Sequence, residues 1–173
     1  MASWWPRAVS PSSSPITAAT EPAASAMPTH TPWPAMEGAH SPFISFIGGR
    51  LEEARPGYAR ISLRGVPALA DAWGRMHAGA ITAIMDSAVG AALGHLKVQR
   101  GRGTAPQATI AMDVSFVAPA ASHDELVAEG RVVELDRHVA HGEAELRRRD
   151  GSLIARGSFV FVVGEGGGWP RPT

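Results

Sequence analysis

A single carboxylate, Asp86, stands in the middle of an almost unbroken run of apolar and small residues from Ala78 to Leu96. A charge buried without a partner is costly, and such groups are more typical of working sites than of scaffolding. There a carboxylate can attack an electrophile or take a proton from water. The bland alternative is an aspartate that caps an internal amide. His77 precedes the run, nine residues before Asp86. On a straight helix that spacing puts the two side chains on opposite faces, about 13–14 Å apart along the axis. They cannot converge on one substrate, so a site using both ends of the helix must be built by two copies of the chain about a two-fold axis. His77 alone would orient the turn into the helix. The N–H groups of Ala78, Gly79 and Ala80 are free at the helix N-terminus, where the macrodipole favours a developing oxyanion.

Weaker candidates lie elsewhere. Ser87 adjoins Asp86, and Thr109 has a hydroxyl able to orient a carboxylate or a water, although a strand threonine usually has no such task. His138 and His141 have HxxH spacing, but three residues apart on a strand they face opposite sides, so no metal site is expected. Arg147, Arg148 and Arg149 precede a turn and fit a solvated edge. Arg100 and Arg102, in the Gly-rich segment RGRGTAP, are better placed for phosphate.

The elements that must position these groups follow from pattern. The run around Asp86 could cross a bilayer by length, yet it carries a central carboxylate and Gly79, Gly90 and Gly94. It therefore fits the core helix of a globular domain, enclosed on all sides. Phe43 to Leu51 is expected to be a short strand closed by Gly48 and Gly49, and Pro56-Gly57 a turn. Tyr58 to Arg64 alternates, with Ile61 and Leu63 on one face and Arg60, Ser62 and Arg64 on a wet one. Val66 to Arg75 connects to the helix. Beyond it, Ile110, Met112, Val114 and Phe116 alternate with Thr109, Ala111, Asp113 and Ser115. Leu126 to Leu135 forms a strand with imperfect alternation. Val139 to Arg149 and Ser152 to Val163 are joined by Asp150-Gly151, read as a two-residue hairpin turn. Five or six strands with one helix inserted after the second predict an α+β fold, an antiparallel sheet curled around that helix.

The 173 residues suit one domain plus tails. The first 40 residues are rich in Pro, Ser and Ala, lack a secretory h-region, and are expected to be disordered. Translation starting at Met27 or Met36 would look the same. Residues 41–164 are expected to form the domain and 165–173 a Gly-rich tail. With 16 basic and 16 acidic residues the net charge is zero, which removes the phosphate attraction that nucleic-acid binders need. The absence of cysteine excludes thiolate catalysis, Cys-ligated zinc and disulfides. It also fits a reducing compartment.

The segment LADAWGRMHAGAITAIMDSAVGAALGH, Leu69 to His95, resembles the signature of hotdog-fold acyl-CoA thioesterases of the phenylacetate-degradation type. That signature is an asparagine, five residues, His-Gly-Gly, and an aspartate nine after the histidine followed by a small hydroxyl residue. ATIAMDVSFVAPA and GSLIARGSFVFVV look like the family's third and last strands. The resemblance implies the hotdog fold, a long helix in a curled antiparallel sheet, as a homodimer that pairs again into a homotetramer. It implies that Asp86 is nucleophile or general base and that the N–H of Ala78 polarises the thioester carbonyl from the facing subunit. Thr109 would orient the water or the carboxylate. Asp71 occupies the asparagine position, and Ala78 that of the first glycine. An alanine keeps its N–H if the backbone is right-handed. An ionised Asp71 can only accept hydrogen bonds. If it reached the partner's Asp86, repulsion would raise one pKa and shift activity toward higher pH.

The expectation is thus a cytoplasmic hydrolase of aryl- or medium-chain acyl-CoA, with no metal or other cofactor. Gly79 and Ser87 would line the substrate site, with Arg137 and Arg102 meeting the CoA phosphates. The alternatives are a non-catalytic acyl-CoA-binding protein and an enoyl-CoA hydratase or dehydratase on the same fold. Neither nucleic acid nor membrane is an expected partner.

Overall fold

The computed structural model describes residues 41–165. The expected tails, 1–40 and nearly all of 165–173, lie outside the described residues. The elements are α1 (Pro42–Phe46), β1 (Gly49–Arg55), β2 (Tyr58–Arg64), a 3-10 turn (Pro67–Leu69) and α2 (Ala78–Gln99). After these come β3 (Gln107–Phe116), β4 (Glu125–Leu135), β5 (Val139–Arg148) and β6 (Leu153–Val163). The strands form one antiparallel sheet in the order β1-β2-β4-β5-β6-β3. The expected α+β architecture of six strands and one long helix is what the chain adopts.

The helix lies against the sheet because its apolar residues and two strand glycines permit a close approach. Ile84, Val89 and Leu93 on α2 are fully buried, as are Leu126 on β4 and Phe159 on β6. Burying each such side chain contributes about 1.5–3 kcal/mol. A Cβ on Gly130 of β4 would lie 2.4 Å from the backbone of Ala88 and Val89, and one on Gly142 of β5 would lie 2.3 Å from a Val89 methyl. Only glycine lets the helix axis settle this near the sheet. Ten of the 22 helix residues are buried. One side is not enclosed within the chain: Ala83, Asp86, Ser87 and Gly90 are only half-buried. The helix expected to be hidden on every face therefore keeps one open flank.

Four local expectations change. Residues 43–51 are not one strand. Ser41-Pro42 opens the five-residue α1, with proline at a position whose N–H needs no partner, and Gly48 at φ 87° turns the chain into β1. The outer face of β2 is not wholly wet, since Ser62 and Tyr58 are buried. The β5–β6 turn is longer than two residues: Gly151 N donates to Arg148 O and Arg148 N to Ser152 O, with Gly151 at φ 90°. That is a three-residue loop closed by a left-handed glycine. Finally, the imperfect alternation of β4 and the face of β3 both trace to bulges, between Val132 and Glu134 and between Thr109 and Ala111.

Candidate active site

The bulge in β3 sets the geometry. Strict alternation would turn Thr109 away from Met112, Val114 and Phe116. The extra residue, Ile110, resets the phase. Thr109 pairs with Phe161 and Met112 with Phe159, and both phenylalanines are buried on the helix side. Thr109 therefore faces α2, and its hydroxyl donates to Asp86 Oδ1 at 2.6 Å. This is the short distance of a charge-assisted bond. Burial raises the Asp86 carboxyl above the ordinary carboxylate range, and the Thr109 bond pulls it part of the way back. Ser87 lies half-buried beside it.

The N-terminus of α2 is held by its own set of bonds. Met76 N donates to Ala120 O and His77 N to Leu69 O, both at 2.8 Å. His77 is the N-cap, and its Nδ1 accepts from Gly79 N at 2.9 Å. A Cβ on Gly79 would sit 3.0 Å from that nitrogen, so the glycine leaves room for the cap. Ala78 is exposed, and its N–H has no partner among the described residues. Its backbone is right-handed, so the alanine carries no strain there. A cleft of about 340 Å³ opens at this point, lined by Asp71, Arg75, Met76, Ala78, Ile81 and the segment Phe116–Ala120.

Asp71 is occupied within its own loop. It accepts from Trp73 N, Arg75 N and the Arg75 guanidinium, at 2.9, 2.9 and 2.8 Å. Burial pushes its carboxyl up, but the Arg75 backbone and side-chain bonds and the Trp73 amide outweigh that and leave it low. Within the chain the Asp71 charge is balanced by Arg75.

The chain brings together Asp86 with Thr109, His77 with Gly79, and Asp71 with Ala78 on one cleft. It does not bring Asp86 to Ala78, eight helical residues or about 12 Å apart along the axis. Arg102 and Arg137 meet each other at the opposite end of α2, where Arg102 Nη2 donates to Arg137 O at 2.7 Å. The arginines before the β5–β6 turn are paired as an edge should be: Arg147 with Glu145, Arg148 with Asp124, Arg149 with Glu52 and Glu125. Among the described residues no cluster of three His, Cys, Asp or Glu side chains could hold a metal. Sequence reasoning passed over Gln107. It shares the inner face of β3 with Thr109, donates to Gly90 O at 2.8 Å, and keeps its own carbonyl buried without a partner. A polar residue two before Thr109 was the available signal.

Residues 74–155 match the thioesterase superfamily. The fold is that of a conserved protein from Pseudomonas aeruginosa, 24% identical with a TM-score of 0.65, over 76% of this chain and 100% of that one. It is also that of a mutant of the phenylacetic acid degradation protein PaaI from Thermus thermophilus, 23% identical with a TM-score of 0.62, over 70% and 98%. A hypothetical thioesterase from Streptococcus pneumoniae, solved with coenzyme A, is 16% identical with a TM-score of 0.58, over 67% and 85%. At these identities the likeness establishes the hotdog fold. No curated protein matches the chain.

Proposed function

We propose, starting from the thioesterase superfamily match over residues 74–155, that the chain hydrolyses the thioester of an aryl- or medium-chain acyl-CoA in the cytoplasm. The observation that carries this reading is the half-buried Asp86 carboxylate, raised by burial and aimed by the Thr109 hydroxyl at 2.6 Å. A base poised above the usual carboxylate range is better matched to proton transfer near neutral pH.

The other half of the site comes from a second copy. The exposed N–H of Ala78, at the positive end of α2, is suited to an oxyanion, yet it lies too far from Asp86 within one chain. Two features support a partner docking along β3. This strand forms an outer edge of the sheet, and its inner-face Met112 and Phe116 are half exposed, at 51% and 49%. The minimal unit is then a homodimer, pairing further into a homotetramer as the family resemblance implies. In it, the carbonyl oxygen rests on the partner's Ala78 N–H. Asp86 takes a proton from water as the water oxygen bonds to the acyl carbon. The tetrahedral intermediate then expels the thiolate, which recovers the proton from Asp86. Direct attack by Asp86, through an anhydride, uses the same carboxylate and the same oxyanion site. His77 keeps the N–H in place by capping the helix, and the Arg75 charge keeps Asp71 ionised without repulsion across the cleft.

A panel of aryl- and aliphatic acyl-CoAs scored for free thiol tests this, on wild type and Asp86→Asn together. The expected result is release by wild type and a loss of about 10²–10⁴-fold in kcat for the variant. Acyl-CoA binding with no release by either protein would favour the non-catalytic reading, and loss of enoyl-CoA absorbance without thiol would favour a hydratase.

A further inference from the structure

At the C-terminal end of α2, the segments 100–102 and 137–138 bring basic side chains to one place. Arg100 Nη1 donates to Leu135 O at 3.0 Å. Arg102 Nη2 donates to the carbonyls of Arg137 and Gly164, at 2.7 and 3.2 Å. His138 Nδ1 lies 3.2 Å from Val163 O, which fixes the ring. These partners are neutral carbonyls, so they hold the groups still without cancelling charge. A carboxylate has settled among them. Glu165, just past β6, accepts from Arg137 Nε at 2.7 Å, and the same oxygen is 3.5 Å from His138 Nε2. Among the described residues it is the one carboxylate ion-paired with this group. Arg137, His138 and Arg102 all act to keep it ionised.

We infer that this cluster of Arg102, Arg137 and His138 is an anion site for the phosphates at the nucleotide end of the substrate, held in the free protein by Glu165 as a displaceable stand-in. The inference rests on the acyl-CoA reading above. A guanidinium fixed by backbone carbonyls is pre-organised for phosphate and loses little freedom on binding it. The Arg137–Glu165 pair is exposed, at 75% and 52%. Such a pair is worth about 1 kcal/mol or less, so a multiply charged phosphate group can displace it. The distance suits the ligand. Arg100 lies 14 helical residues beyond Asp86, about 21 Å along the axis, and CoA separates its thioester from its phosphates by a pantetheine arm of comparable length. Between the two ends α2 carries the half-buried small residues Ser87 and Ala91, while Gln107 and Phe161 pack over Gly90.

The test is calorimetric titration of wild type, Glu165→Gln and Arg137→Gln with CoA and with phosphate-free pantetheine. Both side chains are exposed, and thermal melts check that the variants fold. Removing the stand-in should tighten CoA by up to about 5-fold, while Arg137→Gln should weaken it by a similar factor, and pantetheine should show neither change. CoA affinity that is unmoved or weakened by Glu165→Gln overturns the site, as does an equal effect on pantetheine or no CoA binding by wild type. Free-thiol release is read in parallel. The expected CoA shifts without hydrolysis would keep the anion site and sink the hydrolase, whereas hydrolysis without the shifts would do the reverse.

Discussion

The Thr109 hydroxyl acts on the ionisation of Asp86, and that action can be read from the pH dependence of turnover. It donates to the carboxylate, so it favours the ionised form and opposes the rise caused by burial. Thr109→Ala removes that opposition, and the Asp86 carboxyl moves further up. The basic form is then scarcer on the acid side. The acid limb of the kcat/KM profile is expected to shift to higher pH, with roughly a 10-fold or larger loss at the low-pH end, since a bond to a charged group is worth about 1.5–3 kcal/mol. Thr109→Ser, which keeps the hydroxyl, should leave the limb near its wild-type position. A threonine that only packs would produce the same small, pH-independent change in both variants. Asp86 itself was legible in the sequence because a charge in an apolar run has no packing reason to be there. Thr109 was not legible by periodicity. The bulge at Ile110 moved it to the face that alternation denied it, and only the family resemblance placed it opposite Asp86.

Among the elements, α2 and the strands β2 to β6 announce themselves by hydrophobic pattern, while α1 does not. Five residues are too few to show a helical period, and the proline that opens α1 looks like a loop residue. A second feature of α2 was equally hidden, the burial of Lys97. This side chain is 4% exposed near the C-terminus of the helix, and its ammonium donates to the carbonyl of Ala105 in the loop leading to β3. Burial, and then the charge of Arg102, push its pKa down to about 8. The unfolded chain would keep that proton up to about 10.4. Between these values the unfolded state binds more protons, so stability should rise as pH rises from 8 toward 10. Below pH 8 the full penalty applies, at most about 3 kcal/mol for a shift of this size. Chemical denaturation across that range should show the slope in wild type and its loss in Lys97→Met. A wild-type curve flat between pH 8 and 10 would mean that the ammonium stays charged in its buried place.

At the scale of the whole molecule, the two proposed half-sites are Asp86, in the middle of α2, and the Ala78 N–H at its start, and their pairing across two chains can be tested without knowing the substrate's acyl group in advance. Ala78→Pro deletes the N–H proposed to hold the oxyanion. Proline is well tolerated at the first helical position, and His77, at φ −63° and ψ 136°, already has the extended backbone that a following proline requires. The variant should therefore fold with α2 intact and lose turnover. Asp86→Asn should also fold and lose turnover, through the other half-site. Within one chain these are two lesions of a single machine, and a mixture of two inactive proteins stays inactive. Across a two-fold interface the outcome differs. In a mixed dimer, one site combines the intact Asp86 of the proline variant with the intact Ala78 of the asparagine variant, and the other site carries both defects. Random re-association at equal amounts makes about half the dimers mixed, each with one working site, so about one quarter of wild-type activity should return. Recovery should fail when Met112→Lys, which places a charge on the open inner face of β3, is added to both variants. Dead mixtures at every ratio, from proteins shown by mass to have exchanged subunits, would put the catalytic groups inside one chain and end the two-copy site.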